Sequence, residues 1–319
     1  ANAMQQHIAK IGIVTVSDRA SAGVYEDLSG QAIIQTLNDY LSSAWEPVYR
    51  VIPDERPIIE ETLCSLADQE GCCLIVTTGG TGFGVMAIVA ATDRKWITRD
   101  TAARHLLKMV NFLLKANSYH GVFPHWMNGE TGKTIPFGRK DDGADLVETS
   151  YLFEGLLCAR QYFNGDNQVE YELRNRIGWL WNEVEWNWFT KGGEEVLYWH
   201  WSPNNGWAMN FPVRGFNECL IMYVLAASAD NYPVSDAVYH RGWAQSNFFL
   251  NGKTFYGIKL PLGFDYGGPL FFSQYSFLGL DPRGLKDRYA DYWEQNLNHT
   301  LINREHCVRN PKGFKGYGP

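Results

Sequence analysis

The period of the hydrophobic pattern changes once along this chain of 319 residues, close to Gly82, and that change limits what the sequence can fold into. From Ala9 to Gly82, short apolar runs alternate with amphipathic stretches of helical length, the pattern of βαβ units on a parallel sheet. Beyond Gly84 the strand pattern stops, and stretches with apolar residues three and four apart take over. Tryptophan divides the same way: eleven of the twelve lie after residue 95, and Trp45 alone lies before it. The chain therefore reads as an α/β N-terminal fragment, three-layered around a parallel sheet, followed by a mainly α part.

Composition narrows the function classes. With 45% hydrophobic and 20% charged residues the chain can bury a core, which excludes disorder. A net charge of −7, with no run of Lys or Arg longer than two, leaves no footprint for a nucleic-acid backbone. The most apolar stretch, around Leu220 to Ser228, is about half of the ~18 to 20 residues that a bilayer span needs. Cys64, Cys72, Cys73, Cys158, Cys219 and Cys307 show no C-x-x-C spacing and are expected to be buried thiols. Ala1-Asn2-Ala3 before Met4 reads as a remnant of tag removal, with no signal peptide expected after it.

In the first part, Ile11 to Val16 reads as a strand, Leu28 to Leu41 as a helix and Pro47 to Ile52 as a second strand. A helix over Pro57 to Gln69 follows, with Asp54 or Arg56 near its cap and Pro57 in its first turn. Cys72 to Thr77 is expected to be a buried central strand running into Thr78-Gly79-Gly80-Thr81-Gly82. A glycine-rich turn there lets backbone N–H groups approach an anion, although the same residues also make a plain tight turn. Thr15-Val16-Ser17-Asp18-Arg19, Ser21 to Gly30 and Thr77 to Gly82 together resemble the N-terminal half of the molybdopterin adenylyltransferases of molybdenum-cofactor synthesis, over residues 7–82. The resemblance implies that Ser17, Asp18, Asp27, Ser29, Gly79, Gly80, Thr81 and Gly82 hold pterin phosphate and nucleotide, with molybdopterin, ATP and Mg as cofactors. It departs at Phe83-Gly84-Val85-Met86, where that family carries its acidic metal-binding position. Asp18 and Asp27 also suit loop caps that satisfy backbone donors.

In the second part, helices are expected at Val85 to Ala91, Asp100 to Ala116, Gly143 to Phe163, Asn167 to Trp186, Val213 to Ser228, Asp236 to Trp243 and Leu285 to Leu301. The loops between them are rich in aromatic and amide residues, as in Tyr119 to Trp126 and Tyr198 to Trp207. Aromatic faces stack on pyranose rings while amides bond the hydroxyls, so Trp126, His125, Trp201, Trp207 and Asn217 are candidates for sugar binding. Trp179, Trp181 and Trp293, inside helical stretches, are expected in the core. Asp141, Asp145 and Glu148 fall at i, i+4 and i+7 of the expected Gly143 helix, on one face. Their mutual repulsion suits acid/base work, and a helix N-terminus also favours acidic residues for dipole reasons alone. Glu218 opens an otherwise apolar helix, where desolvation favours the protonated acid. Glycoside hydrolysis needs two such carboxyl groups.

Thr81 to Ile88, Ile97-Thr98-Arg99, Gly121 to Trp126, Lys140 to Ser150, Asn217-Glu218-Cys219 and Asn310 to Gly313 resemble the glucoamylase-like proteins of glycoside hydrolase family 144. Those are endo-β-1,2-glucanases built as an (α/α)6 barrel, and the resemblance covers residues 79–319. It implies an incomplete (α/α)6 barrel, inverting hydrolysis of a β-glucan without metal, Glu218 as the acid, and Asp141, Asp145 and Glu148 in the cleft. The barrel's earlier helices are absent from the chain.

The two resemblances overlap only at residues 78–82, and the simplest account is a chimera of residues 1–82 with residues 83–319. Three functions follow: a β-glucan hydrolase, a molybdopterin adenylyltransferase, or an inactive composite that keeps at most sugar binding. The first implies a periplasmic or cell-surface location and the second a cytoplasmic one.

Overall fold

The computed structural model describes residues 8–23, 26–41, 44–53, 55–77 and 81–313. The chain divides into two compact units, Ala1–Gly79 and Gly80–Pro319.

In the first unit, β1 (Ala9–Val16) is followed by a single helical turn α1 (Asp18–Ser21), by α2 (Leu28–Tyr40) and by β2 (Trp45–Ile52). Next come α3 (Arg56–Cys64), prolonged by a π-helical turn at Ser65–Gln69, and β3 (Leu74–Thr77). Glu55 occupies the N-cap position of α3 without a side-chain capping bond, and Pro57 sits in its first turn, where a missing N–H costs nothing; Asp54 lies outside the described residues. The three strands are parallel in the order β2-β1-β3. The expected central strand is thereby corrected. β1, with Ile11, Ile13 and Val14 buried, takes the centre because it pairs on both sides, and β3 lies at the edge with Leu74 49% exposed.

The second unit opens with α4 (Thr81–Asp93) and α5 (Arg99–Leu113), the latter capped by the Thr98 hydroxyl, which accepts from Thr101 N. Short strands β4 (Trp126–Met127), β5 (Thr134–Ile135) and β6 (Ala144–Asp145) precede α6 (Leu146–Tyr162) and α7 (Gln168–Asn182). β7 (His200–Trp201), α8 (Leu220–Ser228), β8 (Thr254–Phe255), β9 (Ile258–Lys259), α9 (Phe271–Gln274) and α10 (Tyr292–Arg309) complete it. One apolar core runs from Val85 on α4 through Phe153 on α6 and Tyr223 on α8 to Tyr292 on α10.

α4 and α6 cross so closely that only glycine fits. A Cβ on Gly82 would lie 2.0 Å from the Tyr151 carbonyl oxygen, and one on Gly155 would lie 2.4 Å from that of Gly82. Gly82 therefore serves the packing of the second unit.

Several expected helices start late. The stretch from Gly143 is helical only from Leu146, because Ala144 and Asp145 pair with Trp201 and His200. Helix α7 stops at Asn182, short of Trp186. α8 begins at Leu220 rather than Val213, the segment at Val238–Trp243 is π-helical, and the last helix begins at Tyr292 behind its Asp291 cap. Trp181 is buried as expected, but Trp179 and Trp293 face solvent, 54% and 48% exposed. Of the cysteines only Cys219 is buried, while Cys64 and Cys73 are exposed. Among the described residues no helix is long and apolar enough to cross a membrane.

Candidate active site

The N-terminal end of α6 organises the site. Asp145 is its N-cap: Oδ1 accepts from Glu148 N (2.9 Å) and from Trp199 Nε1 (2.9 Å), and Oδ2 bonds His125 Nδ1 (2.7 Å). The carboxylate is fully buried, and these three donors replace the water it lost. Pairing of β6 with β7 sets His200 opposite Asp145. His200 Nε2 then lies 3.3 Å from Asp141 Oδ2 and 3.8 Å from Asp145 Oδ2, and the ring stacks on Trp199. Asp141 is held by a tight turn in which Phe137 N donates to its carbonyl (2.9 Å) and its own N–H donates to Gly138 O (3.1 Å).

Asp141, Asp145 and Glu148 therefore share a neighbourhood for a reason other than the expected one. Asp141 precedes the helix, and turn and strand geometry, not a common helix face, bring it to His200 and Asp145. Burial of His125 opposes its charged form, but the hydrogen bond it donates to Asp145 and the charges of Asp145, Glu148 and Asp141 outweigh that and raise its pKa. His125, Phe137, Asp141, Trp199, His200 and Phe211 line a cavity of about 1060 Å³, whereas Asp145, Glu148 and Glu218 lie outside its lining.

Glu148 and Glu218 form a second group. Glu218 sits in the turn before α8, with its backbone carbonyl accepting from Tyr151 Oη (3.2 Å) and Ser276 Oγ (2.7 Å). Burial, the Asp145 charge and the Glu218 charge push the Glu148 carboxyl up to about 7, against the pull of His125. Burial alone raises Glu218. Glu148 thus keeps its proton into the neutral range, as a general acid requires, and burial shifts Glu218 in the same direction. On the far side of α6, Glu154 is also pushed up to about 7 by burial; its Oε1 accepts from Gly279 N (2.8 Å).

Ligand atoms of Asp141, Asp145 and His200 lie within 4.8 Å of one another, a set that can reach a divalent cation. Asp145 Oδ2 is already bonded to His125, so it would ligate only at the expense of that bond.

The other expected sugar contacts are dispersed. Trp126 backs Phe137 and His125 edge-on. Trp201 and Trp207 join Trp188 in an aromatic cluster that includes His120, and neither lines the cavity. The Asn217 side-chain oxygen accepts from Cys219 N (3.0 Å), which shapes the turn carrying Glu218. Sequence reasoning missed Trp199, His200, Phe137 and Phe211; the run Tyr198-Trp199-His200-Trp201 was the available signal, but only its last residue was singled out.

In the first unit, Asp27 is a structural hub. Its carboxylate accepts from Thr15 Oγ1 (2.6 Å), Gly30 N (3.1 Å) and the Tyr49 hydroxyl. Burial, then the hydrogen bond to Asp27, push the Tyr49 hydroxyl up to about 12. Ser17 Oγ accepts from Ala20 N (3.3 Å), a cap of α1. Gly79, Gly80 and the side chains of Asp18 and Ser29 lie outside the described residues.

Comparison with known proteins finds relatives of two kinds. A family model described as "Probable molybdopterin binding domain" matches residues 12–137, and one described as "Putative glucoamylase" matches residues 210–319. The molybdopterin adenylyltransferase of Helicobacter pylori J99 is 47% identical over 85 residues, covering 27% of this chain and 48% of its own; that of Escherichia coli K12 is 51% identical over 73 residues, covering 23% and 37%. The exo-β-1,2-glucooligosaccharide sophorohydrolase (non-reducing end) of Parabacteroides distasonis is 44% identical over 263 residues, covering 76% of this chain and 36% of its own. The endo-β-1,2-glucanase of Chitinophaga pinensis, solved with sophorotriose and glucose, superposes with a TM-score of 0.72 at 57% identity, over 75% of this chain and 58% of that one. The chain thus spans about a third to three fifths of the length of these glucan hydrolases, and less than half of the adenylyltransferases. The chain therefore joins a segment similar to molybdopterin adenylyltransferases to a longer one similar to β-1,2-glucan hydrolases, the composition of a chimera.

Proposed function

We propose that the second unit hydrolyses a β-glucan, with β-1,2-linked glucose as the preferred substrate, by inverting acid/base catalysis on part of an (α/α)6 barrel. The observation that carries this reading is the half-buried Glu148 carboxyl, pushed up to about 7 by burial and by the Asp145 and Glu218 charges, with Glu218 raised by its own burial. Glu218 delivers that proton to the glycosidic oxygen as the bond to the anomeric carbon breaks, and Glu148 shares the proton beforehand. Asp141, in contact with His200 at the cavity wall, takes a proton from the water that attacks the opposite face of the sugar. Asp145 contributes by holding His125 and Trp199 in the wall. Such chemistry suits a protein of the periplasm or cell surface, where polymeric glucan is met.

The test is release of reducing ends from β-1,2-glucan by the full chain. Glu218→Gln and Asp141→Asn are each expected to reduce it by at least ~10²-fold, the scale of one general acid or base. Full activity in Glu218→Gln would overturn the reading.

A second reading concerns the first unit alone, favoured by the parallel pairing of Val14 with Thr77, which sets the carboxyl ends of β1 and β3 side by side. Loops at that edge are where open α/β sheets take ligands. The unit there binds the phosphate of molybdopterin or, with Mg, of ATP through Ser17, Asp18, Ser29 and the turn from Gly79 to Gly82, while Asp27 holds the loop. Equilibrium dialysis with ATP and Mg is expected to show binding that Asp18→Ala removes; no binding by the unaltered chain would end this reading.

A further inference from the structure

A second sugar-sized surface lies on α6 and α7. Trp179, expected in the core, is instead 54% exposed, and Tyr171 on the same side of α7 is equally so. Eight residues separate the two rings, about 12 Å along the helix axis, and the exposed Asn175 lies between them. Gly178 leaves the helix surface beside Trp179 bare; a Cβ there would meet only the Arg160 guanidinium, at 3.7 Å. Arg160, Gln161, Asn175, Gly178, Trp179 and Asn182 border a concavity of about 630 Å³, and Tyr171 stands outside it along the same helix.

The polar groups around it are of two kinds. Arg174 is fixed by the carbonyls of Phe163 (2.7 Å) and Gly165 (2.9 Å), which stiffens the floor. Arg160, Gln161 and Asn175 have side chains without a hydrogen-bond or ion-pair partner among the described residues. Exposed aromatic faces a few sugar widths apart, beside free amides and a free guanidinium, match a pyranose chain: its C–H faces stack and its hydroxyls accept and donate. None of these residues lines the cavity that holds Asp141 and His200.

We propose that this α6–α7 face is a separate binding site for a segment of neutral glucan, one that retains polymer while the catalytic cavity acts on it. The choice of glucan rests on the hydrolase reading; the existence of the site does not. Binding of soluble β-1,2-glucan is measured by affinity electrophoresis with the full chain carrying Glu218→Gln, so that polymer is not consumed. Adding Trp179→Ala is expected to raise the dissociation constant about tenfold, the equivalent of one lost stacking contact. Adding Gln161→Ala with Asn175→Ala, both at exposed positions, is expected to weaken binding in the same direction without disturbing the core. Trp179→Ala alone is expected to leave kcat/KM for a short gluco-oligosaccharide unchanged and to raise KM for polymer. Polymer binding that is undetectable, or that is indifferent to these substitutions, overturns the proposal. Trp179-dependent binding in a chain that releases no reducing ends would leave this site standing and remove the hydrolase reading.

Discussion

Three donors converge on the buried carboxylate of Asp145, from His125, Trp199 and the backbone of Glu148, and no donor of this set has another partner in the wall. In Asp145→Asn, one oxygen becomes an NH2 group that faces a donor. Hydrogen bonds to a charged group contribute about 1.5 to 3 kcal/mol each, so unfolding in urea is expected to show a loss of about 2 to 3 kcal/mol. The same substitution releases His125. Its folded pKa lies above the unfolded value, so its contribution to stability is complete below pH ~6.5 and fades as the pH rises through the folded value. An NMR titration should find the His125 midpoint raised in the unaltered chain and lowered in Asp145→Asn; an unchanged midpoint would separate His125 from Asp145. The acidic members of this site were legible in the sequence as a cluster, yet for the wrong geometric reason. Two-residue strands such as β6 and β7 leave no periodicity to read, so nothing local announced that His200 would meet residues from fifty-odd positions earlier. Trp201 and Trp207 were chosen over Trp199 because loop position alone does not tell which ring faces a cavity.

At the scale of elements, α5, α6 and α7 are tied by one guanidinium. Arg99, opening α5, donates Nε and Nη2 to the two Glu170 oxygens on α7 (2.9 and 2.8 Å) and Nη2 to the Tyr162 carbonyl at the end of α6 (2.7 Å). The Arg99 hydrogen bonds hold Glu170 down to about 2 against its burial. The stability this gives is present above the unfolded carboxylate value of ~4.3 and is lost as the pH falls towards 2. Glu170→Gln is expected to cost about 1 to 3 kcal/mol at neutral pH, read from the denaturant midpoint, and to blunt the acid limb. α6 acts in the opposite sense, because Glu148 and Glu154 are pushed up to about 7. Folding favours their protonated forms, so that contribution is complete below ~4.3 and falls away as the pH rises to 7. Glu154→Gln keeps the acceptor for Gly279 N and should flatten the decline of the thermal midpoint over that interval; an unaltered decline would refute it. Elements with strong apolar spacing, such as α2 and α5, were found from sequence almost to their ends. The starts of α6, α8 and α10 were not, since the apolar residues before them belong to bridges and turns that pack on the same core.

For the whole molecule, two hydrophobic periods meet near Gly82, and the chain divides into compact units between Gly79 and Gly80. Gly82 is fixed by the crossing of α4 with α6, a demand of the second unit alone. The cores are equally separate: Val14, Ile52 and Leu66 form one cluster, and a far larger one begins at Val85. A small core on a three-stranded sheet offers little against the entropy of ordering its chain, whereas the second unit buries a full domain's worth of apolar side chains. Scanning calorimetry is therefore expected to show two transitions, the lower from the first unit. Tryptophan fluorescence should follow mainly the upper one, as eleven of the twelve tryptophans lie in the second unit. On the hydrolase reading, a β-1,2-linked gluco-oligosaccharide is expected to bind the folded form alone, and so to raise the upper midpoint and leave the lower in place. A single transition that moves as a whole with sugar would mean that the two segments fold as one cooperative body. Two transitions that both ignore sugar would leave the fold of the hydrolase segment intact and its ligand reading without support.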